Sequence, residues 1–299
     1  MRIRKVAVLI DGGFFIKRLP KLVRPDQCDS PMAVANAAVA LCKRLVRNLI
    51  GDYSVESSKS RWLDHVYRLF YYDAAPHKAL ELHPLSRQQI DFGKLRSSTF
   101  HEELFTHLRR KRKFALRLGK LTSQNGWRLR DKKLIKRLLQ TRDSIPIWDK
   151  VLNQSKTNSQ PEALSASEAE HLQALRDLWA SITDDDLRLD LRQKGVDMRI
   201  GVDITTLTLK HQVDTIILVT GDSDFVPAAK VARREGVEFL LCPMWQQVND
   251  DLMEHIDGIA AGFTNAQGQE KTAGRDSSPP QASGQTCGDS LLFKDGAAP

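Results

Sequence analysis

The sequence predicts an α/β fold of three layers, α/β/α, in which helices cover both faces of a mainly parallel sheet. Two apolar runs, IRKVAVLI at 3–10 and VDTIILVT at 213–220, read as buried strands and each stops at an acid-bearing turn, Asp11-Gly12-Gly13 and Gly221-Asp222-Ser223-Asp224. Further strand-like runs alternate with helical ones at the spacing of βαβ units, which bury parallel strands on both faces.

Taken in order, Pro31 opens a segment of helical periodicity that stops at Gly51, a proline-first, glycine-last helix of about eighteen residues. HVYRLFYYD at 65–73 has strand composition and also ends at an Asp, which completes a βαβ opening. Residues 98–112 read as helix, and FALRLGKL at 114–121 alternates as a strand does. The Gln124-Asn125-Gly126 turn before Trp127–Arg130 predicts a hairpin there.

From about 131 to 186 the chain is polar and helix-rich, with a Ser/Asn/Gln stretch at 153–160 and three acids at 184–186, and is expected to be an insertion. Sheet pattern resumes at 187–193, where Leu187, Leu189 and Leu191 share a face. A helix over about 197–210, the strand at 213–220, a helix to about Glu235 and a strand at 237–242 follow. One domain over 1–262 is expected. The tail, 263–299, has almost no large apolar residue before Leu291-Leu292-Phe293, too little burial to offset its ordering entropy, and is expected to be disordered.

Composition, 41% hydrophobic and 27% charged, is that of a globular chain. The N-terminal apolar run, about seven residues long, is too short for a signal peptide or a membrane span, so a cytoplasmic protein with no membrane partner is expected. Cys28, Cys42, Cys242 and Cys287 form no C-x-x-C pair, which argues against a zinc site or a disulfide framework.

The net charge of +8 is local: residues 109–137 carry thirteen Lys or Arg against one acid, a net +12, leaving the remainder of the chain at −4. Arg109, Arg110, Lys111, Arg112, Lys113, Arg117, Lys120, Arg128 and Arg130 are therefore candidates for contact with a phosphate backbone, and Trp127 among them for stacking a base. A solvated charged face with Trp127 packed inward is the competing reading.

Ligands of an open parallel sheet bind outside the carboxyl ends of its strands. Asp11, Asp197, Asp222 and Asp224 all fall at that predicted edge. Individually each has a structural reading, since Asp224 or Ser223 would cap one helix and Asp197 another. Together they form a like-charge cluster that a hard divalent cation would relieve, and an all-oxygen donor set favours Mg²⁺ or Mn²⁺ over zinc.

Three segments, VAVLIDGGFF (6–15), QKGVDMRIGVD (193–203) and ILVTGDSDFVP (217–227), resemble the NYN domain of LabA-like (DUF88) proteins, a branch of the PIN-like nucleases. The resemblance implies a PIN-like fold and a Mg²⁺- or Mn²⁺-dependent ribonuclease whose catalytic, metal-holding acids are Asp11, Asp197, Asp222 and Asp224. It also implies cleavage to a 5′-phosphate and a 3′-hydroxyl. Asp203 matches a recurrent acid of the family, but six residues after Asp197 it does not share that residue's helical face, and with Ser223 and Lys194 it is assigned to the second shell or to substrate. Many relatives carry Asn where this chain has Gly13.

Single-stranded RNA is the expected partner, with DNA, a homo-oligomer and a protein partner recruited through the tail left open. A non-catalytic RNA-binding scaffold of the same fold is the main alternative. A haloacid-dehalogenase-like phosphatase is weaker, because it needs a second Asp where Gly13 stands.

Overall fold

The computed structural model describes residues 3–53, 61–154 and 164–263. Its elements run β1 (Val6–Asp11), α1 (Gly12–Arg18), α2 (Pro31–Ile50), β2 (Val66–Ala75), β3 (Leu80–Leu82), β4 (Gln89–Asp91), α3 (Arg96–Arg109), β5 (Phe114–Leu129), α4 (Lys132–Gln140), α5 (Ile145–Gln154), α6 (Ala166–Ala180), β6 (Leu187–Lys194), α7 (Val196–Leu209), β7 (Thr215–Val219), α8 (Val226–Arg234), β8 (Glu238–Leu241), α9 (Asp250–Glu254) and β9 (Gly258–Ile259). The tail expected to be disordered, with its Leu291-Leu292-Phe293 triplet, lies outside the described residues, as does most of the stretch at 153–160.

The described chain divides into two compact units, one of residues 3–79, 91–122 and 193–263, the other of 80–90 and 123–192. In the first, the strands lie in the order β5-β2-β1-β7-β8-β9, and each neighbouring pair is parallel. Successive side chains of β1 point to opposite faces. Val6, Val8 and Ile10 join α1, α2 and α3 in one apolar cluster, while Ala7 and Leu9 join α7, α8 and α9 in another. Burial on both faces is why this strand reads as an unbroken apolar run and why the fold is three-layered.

Local chemistry sets the helix ends. Ser30 caps α2 by accepting a hydrogen bond from the Ala33 amide at 3.3 Å, Pro31 fills the first turn, and Gly51 ends the helix at φ 67°. Cys42 and Cys242 are fully buried as small core residues.

In the second unit, β5 continues beyond residue 122 and is flanked by β6, β3 pairs with β4, and α4 to α6 occupy the segment expected to be an insertion. The hairpin expected at Gln124-Asn125-Gly126 does not form; β5 is one strand of 16 residues. Asn125 is taken up by another partner. Its side-chain amide donates to the buried carboxylate of Asp190 at 2.8 Å, Arg128 forms an ion pair with the same carboxylate at 3.1 Å, and Gly126 absorbs the local irregularity at φ 68°.

Gly12 is a point of close approach between α1 and the sheet. A Cβ there would lie 2.6 Å from both the Tyr71 ring and the Tyr72 carbonyl oxygen, whereas at Gly13 the nearest atom would be 3.6 Å away. Gly12→Ala should cost about 1–3 kcal/mol through overpacking, and Gly13→Ala far less. Parallel urea melts of the two variants check this, and equal midpoints would refute the close approach.

Candidate active site

The acidic edge is built from the ends of β1 and β7. Asp11 closes β1 and caps α1, with Oδ1 accepting from the Phe14 amide at 3.2 Å. Its Oδ2 accepts from the hydroxyl of the fully buried Thr220 at 3.2 Å, and the Thr220 oxygen in turn accepts from the Asp222 amide at 3.3 Å. One hydroxyl therefore ties the first acid to the loop that carries Asp222 and Asp224. Asp222 folds this loop by accepting from the Asp224 amide at 3.0 Å.

Asp222, rather than Asp224 or Ser223, is thus the cap at this turn. Ser223 opens the short 3-10 turn and its carbonyl accepts from the Val226 amide. Asp197 is not a cap either: Gly195, at φ 76°, holds that position, and Asp197 stands in the first turn of α7, where the helix dipole favours a carboxylate. Among the described residues, the side chains of Asp197 and Asp224 accept no hydrogen bond, so both are available to a ligand.

Asp11 and Asp197 are perturbed by burial and by neighbouring acids. Burial above all raises the Asp11 carboxyl above the ordinary carboxylate range, repulsion from Asp197 and Asp222 adds to it, and the bonds from Phe14 and Thr220 oppose it. Asp197 is raised first by burial, then by Asp222 and Asp224.

A hard divalent cation fits this donor set, since all four groups offer oxygen and each neighbour's charge is a cost the cation would remove. As the side chains stand, no three His, Cys, Asp or Glu groups among the described residues close on one point. The site is an open rim, with Asp11 and Asp222 held and Asp197 and Asp224 free.

Asp203 faces elsewhere. It accepts from the Tyr72 hydroxyl at 2.8 Å and from Arg117 at 3.0 Å, so it anchors α7 to β2 and β5. Arg117 is committed to that pair and lies over the Phe70 ring at 5.2 Å.

The basic strip breaks up similarly. Lys111 bonds Asn36, and Lys113 bonds the carbonyl oxygens of Leu63 and Val66. Residues 109–113 lead into the start of β5, whose Phe114 pairs with Leu69, so they lie at the amino edge of the sheet, opposite the acids. Lys120 pairs with Ala75 at the carboxyl edge, and Lys194 passes close by, its carbonyl oxygen 2.6 Å from where a Cβ on Gly119 would sit. Those two lysines, both exposed, are the cations of the strip's neighbourhood that share the acids' edge. In the second unit, Trp127 packs edge-on against His83 with ring centroids 4.5 Å apart, Arg128 pairs with Asp190, and Arg130 bonds the Asp185 carbonyl.

Sequence reasoning missed Asp73, Thr220 and Gln193. Asp73 lies two residues before the end of β2, next to Tyr72, which pairs with Asp11; the Asp closing the strand-like run at 65–73 was the available signal. It is 3% exposed. Its Oδ1 accepts from the Ala74 amide at 2.7 Å and from Gln193 Nε2 at 3.3 Å, whereas Oδ2, 4.0 Å from His101 Nε2, has no hydrogen-bond partner. Burial chiefly pushes its carboxyl up to about 6, with the neighbouring His101 and the Ala74 amide holding it down and Asp11 raising it.

The acids therefore stand at the carboxyl edge of a mainly parallel sheet with helices on both faces. A family model described as the NYN domain, whose home is the PIN-like superfamily, matches residues 149–259. The match includes Asp197, Asp222 and Asp224 and begins after Asp11 and Asp73. No curated protein matches. Among solved structures, a protein of unknown function from Vibrio parahaemolyticus is similar at 13% identity and a TM-score of 0.32, over 87% of this chain and 96% of that one, a likeness too weak to carry an argument.

The raised Asp73 carboxyl has a consequence for stability. Because its folded value, about 6, lies above the unfolded 3.8, the folded state is favoured by protonation, and the penalty of the buried charge is absent below 3.8 and complete above 6. Asp73→Asn should therefore raise the melting temperature relative to wild type more at pH 8 than at pH 4, by about 2–4 °C for each kcal/mol recovered. Calorimetry in metal-free buffer at the two pH values checks it; an equal or reversed difference would refute the burial of a charge.

Proposed function

We propose that the protein is a metal-dependent ribonuclease hydrolysing phosphodiester bonds of single-stranded RNA at the rim of Asp11, Asp197, Asp222 and Asp224. The observation that supports this reading is the hydrogen-bonded link through Thr220 between Asp11, at the end of β1, and the Asp222–Asp224 loop after the adjacent parallel strand β7, in a chain whose residues 149–259 match the NYN-domain model. NYN domains are generally nucleases.

Asp11 and Asp222 are oriented by the Thr220 hydroxyl and by backbone amides, so little reorganisation is needed when a cation or a phosphate arrives. Asp197 and Asp224, whose side chains accept no hydrogen bond among the described residues, would complete the set of groups that holds the cation. A Mg²⁺ or Mn²⁺ bound there supplies a Lewis acid for the phosphoryl oxygen and a lower pKa for a water nucleophile. Lys120 and Lys194, at the same edge, would pair with the phosphates flanking the scissile one. A 5′-phosphate and a 3′-hydroxyl are the expected products, with no covalent intermediate.

Labelled single-stranded RNA incubated with purified protein in Mn²⁺, Mg²⁺ or EDTA tests the proposal. Cleavage should require the metal and fall at least about 100-fold in Asp222→Asn, the scale on which loss of a group that stabilises developing charge is felt. Salt-sensitive RNA binding without cleavage, unchanged in the variant, would instead identify a binding scaffold.

A further inference from the structure

Gln193 precedes Lys194 at the end of β6, and its amide is fixed in a way exposed glutamines are not. Nε2 donates to Oδ1 of Asp73, a carboxylate almost wholly buried. That bond settles the orientation of the amide, because an ionised carboxylate only accepts. Oε1 is consequently directed away from Asp73, on an exposed residue, and among the described residues it accepts no hydrogen bond.

The place this oxygen occupies is informative. A side chain on Gly13 would begin at a point 3.6 Å from Asp11 Oδ1 and 3.9 and 4.0 Å from Oε1 and Nε2 of Gln193, and of that amide's two atoms Oε1 is the one without a partner. Glycine leaves that space empty. An open position thus lies between a carboxylate of the acidic rim and a preorganised carbonyl oxygen, with Lys194 next in sequence.

A carbonyl oxygen beside a site for a phosphodiester can only accept a hydrogen bond. Along the sugar–phosphate backbone, phosphates, ring oxygens and deoxyribose carbons offer it no proton, whereas the 2′-hydroxyl of ribose does; the base amines, shared by RNA and DNA, set no preference between the two. A site that accepts from such a hydroxyl favours the substrate that carries it over the analogue lacking it by about the net worth of one hydrogen bond.

We infer that Gln193, held by Asp73, accepts a hydrogen bond from a ribose 2′-hydroxyl next to the scissile phosphate and so sets the preference for RNA over DNA. Gln193 is the specificity-determining contact and Asp73 a positioning residue acting through it. The inference rests on the nucleic-acid reading of the acidic rim and adds the identity of the sugar.

The test compares matched single-stranded RNA and DNA of one sequence, using the full chain and two readouts: kcat/KM for cleavage in Mn²⁺, and Kd in EDTA. Wild type should favour RNA in both. Gln193→Ala should lower the RNA-to-DNA ratio about 3- to 10-fold, the scale of one net hydrogen bond. Asp73→Ala should lower it similarly, while Asp73→Asn, which keeps an accepting oxygen for Nε2, should retain most of it, a rescue that a merely structural role would not give.

An unchanged ratio in Gln193→Ala would overturn the inference. If wild type binds RNA but cuts neither substrate, the nuclease reading fails and the ratio of Kd values alone decides the role of Gln193. Binding of neither nucleic acid would overturn both.

Discussion

β1 is paired in parallel with β2 on one side and β7 on the other, and it is apolar on both faces because helices cover each. Parallel pairing directs every strand's carboxyl end to one edge, so whatever residue follows each strand is delivered to a common place. Asp11 at the end of β1, Asp73 near the end of β2 and the loop after β7 are brought to that edge for this reason and not through any local affinity; left to themselves they repel. The apolar sandwich holds together what electrostatics would separate.

Two devices make that arrangement tolerable. The Thr220 hydroxyl donates to Asp11 while accepting from the Asp222 amide, so it links the two strand ends and spends both of its bonding capacities on the site. Backbone amides of Phe14 and Ala74 satisfy one oxygen each of Asp11 and Asp73. What is left over is uneven: Asp73 Oδ2 and the Tyr71 hydroxyl are buried without partners, and Asp197 and Asp224 face outward unengaged. Incomplete satisfaction of this kind is costly to stability, and it is commonly retained where ligands bind.

The distribution of positive charge shows why a strip in sequence is not a surface in space. From 109 to 137 the cations look continuous, but the chain passes from the end of α3 to the amino edge of β5, along a long strand and into a second compact unit. Lys111, Lys113, Arg117 and Arg128 are used up on neighbours along the way. Lys120 owes its place at the acidic edge to strand register with Ala75.

By itself the sequence determined the alternation of strands and helices, the burial of β1 and β7 on both faces, and the edge at which Asp11, Asp197, Asp222 and Asp224 fall, because period, glycine and proline punctuation and parallel topology are local or nearly local properties. Only the tertiary structure decided that Asn125-Gly126 sits within a strand, that Asp203 and Arg117 bind each other, and that Asp73, Thr220 and Gln193 join the acids. Each of these depends on a partner 65 to 209 positions away in the chain, and side-chain pairing at that separation is set by strand order and register, which no window of sequence contains.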